Sequence, residues 1–233
     1  MFRTTFRRLF RLRRPSPQEL VPRYDEYLRL QREAYLSHES EVKRWADGQR
    51  RFVEAAFGEL PRSLRVLDCA CGDGIGLDAL RSLGCQGSVG VELSPAKASK
   101  ARERGFRVEE ADMHDLSIFE GGSFDAVLCS HTLEHAWDPA KVLSEFRRVL
   151  VPEGRLLVVL PYPDTSRRNE LAHPAKYVLG THLDDGGEAV IGFFLERGFV
   201  LEWSRRDDVR EPEIWLSLRA SRARTPGSPD AAG

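Results

Sequence analysis

The 233-residue chain predicts an α/β fold, an open doubly wound sheet that is mostly parallel and carries helices on both faces. Three observations carry that prediction. Short apolar runs alternate with helical stretches from about residue 64 onward. Two helices open on a capping residue followed by proline, at Ser94-Pro95 and Asp138-Pro139. The last two apolar runs, 198–203 and 213–220, have no helix between them and so pair as an antiparallel hairpin.

Taken in order, residues 1–14 hold six arginines and no acid, with Phe2, Phe6, Leu9 and Phe10 at helical spacing. This basic amphipathic N-terminal segment is a candidate for peripheral contact with anionic lipid. A helical pattern follows over 18–57, giving a helical N-terminal cap over 15–60, until Gly58 and Pro61 break it. Strands are expected at 64–69, 88–93, 106–112, 124–130 and 154–161, and helices at 75–83, 94–105 and 138–150. Residues 161–186 show no period and read as an insertion on the substrate side. A helix at 187–197 follows, where Asp185 and Glu188 fit a capping box. The tail, 221–233, lacks core-forming residues and is expected to be disordered.

Composition narrows the function. The net charge is −1, so without the six N-terminal arginines the body carries −7, a sign that does not attract nucleic acid. No apolar run approaches the ~18 residues that cross a bilayer. Four cysteines, at 69, 71, 85 and 129, are too few and too oddly spaced for a disulfide framework, so a reducing cytoplasmic compartment is expected.

The stretch VLDCACGDGIG, residues 66–76, puts a glycine turn between a strand and a helix, the general site for a nucleotide-like ligand. Gly72, Gly74 and Gly76 run G-x-G-x-G, and Leu77 stands where the dinucleotide fingerprint has its third glycine. No lysine follows to serve a triphosphate, and Asp68 and Asp73 repel phosphate. Glu92 ends the second strand, 24 residues after Asp68, where a carboxylate accepts both ribose hydroxyls. Asp112 ends the third strand, placed for an adenine amine, with Met113 beside it to pack on the ring. Three such acids describe an adenosine with a cationic appendage and no phosphates. S-adenosyl-L-methionine has that shape. Cys69 and Cys71 have no second C-x-C or convergent histidine and read as small packing residues.

On VLDCACGDG (66–74), VGVELSPA (89–96), EEADMHDL (109–116), FDAVLCSHTLEHAWDP (124–139) and LVPEGRLLVVLP (150–161), the sequence resembles the class I S-adenosylmethionine-dependent methyltransferases, in particular the ubiquinone-methyltransferase-like small-molecule group. The resemblance implies a Rossmann-like sheet of seven strands. It implies a cofactor site at Asp68, Ala70, Gly72, Gly74, Glu92, Leu93, Asp112, Met113 and Ser130. Ala70 departs from the pattern, standing where the family loop has its first glycine.

The end of the fourth strand points toward the methyl in this fold, which makes His131 the first candidate for a base, with His173 a second. HTLEH, residues 131–135, also fits an H-x-x-E-H zinc pattern. No long helix carries it, the family has Leu-Glu-His here without zinc, and no metal is expected. The Pro-Pro-aromatic sequence of nucleic-acid amino methyltransferases is absent. Tyr162, Arg167, Arg168, His173, Lys176, Tyr177 and His182 are candidates to meet the acceptor, and HPAKYVLG (173–180) is similar to methyltransferases of surface-polysaccharide or glycolipid pathways. The expectation is methyl transfer to oxygen of a small molecule or a sugar- or lipid-linked precursor. The alternatives are an NAD-dependent oxidoreductase and a non-catalytic cofactor-binding module with a protein partner.

Overall fold

A computed structural model describes residues 14–33, 39–165, 170–209 and 211–221. Residues 1–13, which hold most of the segment expected to contact lipid, Arg167, Arg168 and the tail from 222 lie outside them. Among the described residues, seven strands form one sheet: β1 (Val66–Cys69), β2 (Val89–Glu92), β3 (Val108–Glu110), β4 (Phe124–Ser130), β5 (Leu150–Pro161), β6 (Phe199–Asp207) and β7 (Glu213–Ala220). Their order is β3-β2-β1-β4-β5-β7-β6. β1 to β5 pair in parallel, and β7 enters antiparallel between β5 and β6. This is the Rossmann-like arrangement expected, hairpin included.

The strands read as continuous apolar runs because both faces are covered. On β4, Val127 and Cys129 face one layer and Ala126 and Leu128 the other. The first layer is α6 (Pro139–Val149) and α8 (Glu188–Leu195), through Val142, Leu143, Phe146, Val190 and Phe194. The second is α3 (Glu39–Phe57) and α4 (Ile75–Ser82), through Phe52, Val53, Phe57, Ala79 and Leu80. α5 (Pro95–Glu103) covers β2 and β3 through Ala98 and Ala101.

The helical stretch expected over 18–57 is broken. α1 (Pro17–Leu20) and α2 (Tyr24–Glu33) are separated by Val21, Pro22 and Arg23, because Pro22 disfavours helical backbone in the residue before it. Ser16 and Glu19 close a capping box on α1. At α6 the Asp138 carboxylate accepts from the Ala140 and Lys141 amides, as expected of a cap. At α8 the expected box does not form: left-handed Gly187 is the cap residue, and Asp185 reaches past it to the Ala189 amide at 3.0 Å.

Candidate functional site

β1 is flanked by β2 on one side and β4 on the other, so chain direction reverses there and a crevice opens at the strands' carboxyl ends. The glycine turn fills the floor of that crevice. Ala70 (φ 56°), Gly72 (φ 54°) and Gly74 (φ 84°) all adopt left-handed backbone. Alternating such residues folds the loop back over β2, where the chain comes close enough that a Cβ on Gly90 would lie 2.5 Å from Cys71 Sγ. All four cysteines are buried free thiols, and burial raises Cys69, Cys71 and Cys129, so they serve as packing groups. Ala70 carries a left-handed penalty of about 1–2 kcal/mol that glycine avoids. Ala70→Gly is therefore expected to stabilise the chain by up to about 1 kcal/mol after the cost of a more flexible unfolded chain, read as a rise in the urea midpoint.

A cleft of ≈ 140 Å³ lies above the loop. It gathers Ala70, Gly72, Glu92, Leu93, Asp112, Met113 and His131, seven of the residues expected from the sequence. Asp68, Gly74, Ser130 and His173 are not on its wall. Asp68 lies beneath the loop, 1% exposed, with a backbone hydrogen bond from Leu77 at the start of α4 and no partner for Oδ2 among the described residues. Burial, then the nearby Glu92 charge, pushes its pKa up to about 8. Gly74 caps α4 against the Phe106 ring. Ser130 is half-buried, and its carbonyl accepts from the Thr132 hydroxyl.

Glu92 is the centre of the site. Its Oε2 accepts the Gly72 amide at 2.9 Å and its Oε1 the Ser94 amide at 2.8 Å. The loop amide that could meet a phosphate is thus already turned to a carboxylate. An acid-lined cleft whose loop donor is occupied suits a phosphate-free adenosine with a cationic appendage.

Asp112 is on the wall as expected, but protein groups hold both its oxygens. The Tyr24 phenol donates to Oδ2, while the His114 amide and Nδ1 hold Oδ1 at 2.9 and 2.7 Å. An adenine amine there would share an oxygen with Tyr24. His114 Nε2 accepts the Trp137 and Asp138 amides, which assigns its hydrogen to Nδ1. Trp137 in turn donates from Nε1 to the Val21 carbonyl at 2.8 Å and accepts from Gln18 at 2.5 Å. These bonds dock α1 and α2 over the cleft, where Tyr27 and Gln31 join its lining. Neither was visible in sequence, since an amphipathic helix with tyrosines has no motif. Tyr24→Phe keeps the ring and loses a hydrogen bond to a charged group of about 1.5 kcal/mol. Amides of α2 are then expected to exchange roughly tenfold faster with β4 amides unchanged, by hydrogen-exchange mass spectrometry.

His131 departs from its expected role. It follows β4 in left-handed backbone (φ 50°), and its Nε2 meets Glu213 Oε1 at 3.0 Å while Nδ1 faces Glu134 Oε1 at 3.6 Å. Burial opposes its charge, but the two carboxylates outweigh burial and raise its pKa to about 9. At neutral pH it is an imidazolium that cannot accept a substrate proton. His135 is the opposite case: burial lowers its pKa to about 4, and its Nδ1 is 2.5 Å from the Ala172 carbonyl. His135 and Thr132 line the cleft, unanticipated from the sequence.

Among the described residues, the 161–186 insertion turns three of its expected substrate contacts, Tyr162, His173 and Lys176, inward. Lys176 is 1% exposed, and the Tyr162 hydroxyl donates to Asp185 at 2.7 Å. The insertion meets the site beside His135. The His173 ring packs edge-on against His135 at 4.8 Å, and His173 Nδ1 meets Asp164 Oδ2 at 2.9 Å.

Residues 67–158, which span β1 through most of β5 and both acids of the cleft, match the model of a methyltransferase domain. The match identifies a methyltransferase domain within this chain, and the fold around it is that of S-adenosylmethionine-dependent methyltransferase structures. The cofactor of these methyltransferases is S-adenosyl-L-methionine, and the acid-lined, phosphate-free cleft fits it. A ubiquinone biosynthesis O-methyltransferase from Xanthomonas oryzae pv. oryzae is 35% identical over 102 residues, 40% of this chain and 41% of that one. A demethylmenaquinone methyltransferase from Thermus thermophilus is 36% identical over 152 residues, 62% of this chain and 63% of that one. The chain thus matches less than half of the first relative's length. An S-adenosylmethionine-dependent methyltransferase structure from Mesorhizobium loti shares the fold at TM-score 0.57 and 19% identity, covering 75% of this chain and 99% of that one. The cyclase SpnF does so at TM-score 0.62 and 18% identity, covering 90% and 97%. No described helix of this methyltransferase chain is long and apolar enough to cross a membrane.

Proposed function

We propose that this chain transfers a methyl group from S-adenosyl-L-methionine to an oxygen of a small hydroxylated acceptor of the quinol type. The observation that carries the reading is Glu92, buried at the cleft floor and bonded to the glycine-loop amide, where its carboxylate would accept the ribose hydroxyls. The quinone-pathway names of the two relatives support the acceptor class. When bound, the cofactor supplies an electrophilic methyl on a sulfonium. Ala70 and Gly72 would lie along its chain, Leu93 and Met113 against the adenine, and Tyr27 and Gln31 over it to exclude water. The acceptor enters between Thr132 and His135 on the insertion side, and the His131 imidazolium holds the end of β4 in place through Glu213.

Calorimetry with S-adenosylhomocysteine and, separately, NAD tests the reading. Binding of the first and none of the second is expected. NAD binding alone would move the chain to the oxidoreductases. Methyl transfer from labelled cofactor to an ortho-dihydroxylated aromatic, with none to its deoxy analogue, tests the oxygen assignment.

A further inference from the structure

The 3₁₀ turn Leu133–His135 and the insertion bring three side chains to one point beside the cleft. Glu134, His135 and His173 each offer a ligand atom, and these atoms lie within 4.8 Å of one another. We propose that the three hold a divalent transition-metal ion with zinc-like ligand preference, whose open coordination position takes the acceptor hydroxyl. That last clause rests on the transfer reading above; the metal site does not.

Four features of the residues argue for a built site. First, Glu134 is 1% exposed and its Oε2 has no hydrogen-bond partner among the described residues, a cost that a bound cation removes. Second, each histidine is anchored through Nδ1, His135 to the Ala172 carbonyl at 2.5 Å and His173 to Asp164 Oδ2 at 2.9 Å. A neutral histidine that donates through Nδ1 carries its lone pair on Nε2, and a carboxylate behind a histidine is the usual support of a metal ligand. Third, the backbone ties the two halves together, since the Ala175 amide donates to the Glu134 carbonyl at 3.1 Å. Fourth, two imidazoles and one carboxylate form the set that leaves a catalytic zinc one position for water or substrate. Bonds of about 2.0–2.2 Å put tetrahedral ligand atoms roughly 3.4 Å apart, so the widest pair closes by little more than an ångström.

The set is not the H-x-x-E-H pattern of the sequence. His131 is excluded because its nitrogens face Glu213 and Glu134, and His173, 38 positions after His135, replaces it. Both His131 nitrogens are turned to carboxylates and away from an acceptor, so the ion would supply the deprotonation instead. On binding the ion, the acceptor O–H breaks heterolytically: the electron pair stays on the metal-bound oxygen and the proton passes to water. His135 is on the cleft wall, so that oxygen would face the cofactor's end of the cleft.

The test titrates metal-stripped full-length protein with Zn²⁺ by calorimetry and with Co²⁺ by visible absorption, for wild type, His173→Ala and Asp164→Asn. S-adenosylhomocysteine affinity is measured on each in parallel. One equivalent of Zn²⁺ and a d–d band of a four- or five-coordinate Co²⁺ site are expected for wild type. His173→Ala should lose the band, and Asp164→Asn should bind about 10–100-fold more weakly. Wild type that binds S-adenosylhomocysteine without taking up metal overturns the metal site and spares the transfer reading. Equal metal affinity in wild type and both variants overturns it as well. Metal uptake as expected with no S-adenosylhomocysteine binding supports the metal site and overturns the transfer reading alone.

Discussion

Glu92→Ala is expected to weaken S-adenosylhomocysteine binding by at least about a hundredfold while the chain remains folded. Glu92 is 7% exposed and ties the glycine loop at Gly72 to the start of α5 at Ser94. On the proposed reading, removing it takes away a charged acceptor for two ribose hydroxyls, each such bond being worth about 1.5–3 kcal/mol. It also frees the loop amide. Glu92→Gln keeps the volume and one acceptor, so it should fall between wild type and alanine. Glu110→Ala, on the exposed end of β3 where the residue pairs with Arg102, should bind as wild type does. Calorimetry on the four proteins decides it. Unchanged affinity in Glu92→Ala would remove the ribose assignment and leave Glu92 a loop tie.

Raising the pH from 6.5 to about 9 is expected to cost the chain on the order of 3 kcal/mol of stability through His131 alone. Below pH 6.5 the imidazole is charged in folded and unfolded chains alike, and pairing with Glu213 and Glu134 is fully present. Above 6.5 the unfolded chain releases its proton while the folded one keeps it up to about 9. Stability therefore declines across that window. Asp68 adds a decline of the same sign at lower pH, because its folded pKa of about 8 exceeds that of an ordinary carboxyl, so the folded acid holds a proton the unfolded one gives up. The comparison that isolates His131 is Glu213→Gln. Removing one carboxylate lowers the His131 pKa, so the stability gap between wild type and variant should narrow as pH rises to 9. Urea midpoints at pH 6, 7.5 and 9 measure it. A gap that stays constant would mean that His131 is uncharged in the folded chain.

Much of the fold was legible because it is written in local patterns. Apolar runs of strand length, proline just inside a helix and Asp138 as a cap each act within a few residues. The cleft wall was legible for a related reason: in a parallel sheet the strand ends and the residues just past them reach the same edge, so Glu92, last of β2, and Asp112, expected to end the third strand but two residues beyond β3, were placed by counting strands. The break at Pro22 was readable too, since its cause is local. Partners were not readable. Tyr24 meets Asp112 across 88 positions and His131 meets Glu213 across 82. Such pairs depend on where whole elements pack.

By itself, the sequence determined the strand–helix alternation, the glycine turn and the acids at the strand ends, because backbone propensity and side-chain period act locally. That was enough for the family and its cofactor. Only the tertiary structure decided what those side chains are occupied with. β7 runs antiparallel beside β5, which sets Glu213 opposite Pro161 and within reach of His131, turning the expected base into a cation. The insertion folds back onto the 3₁₀ turn, which brings His173 to His135 and Glu134. A charge or a lone pair is assigned by its neighbours in space, and those neighbours exist only once the chain has closed.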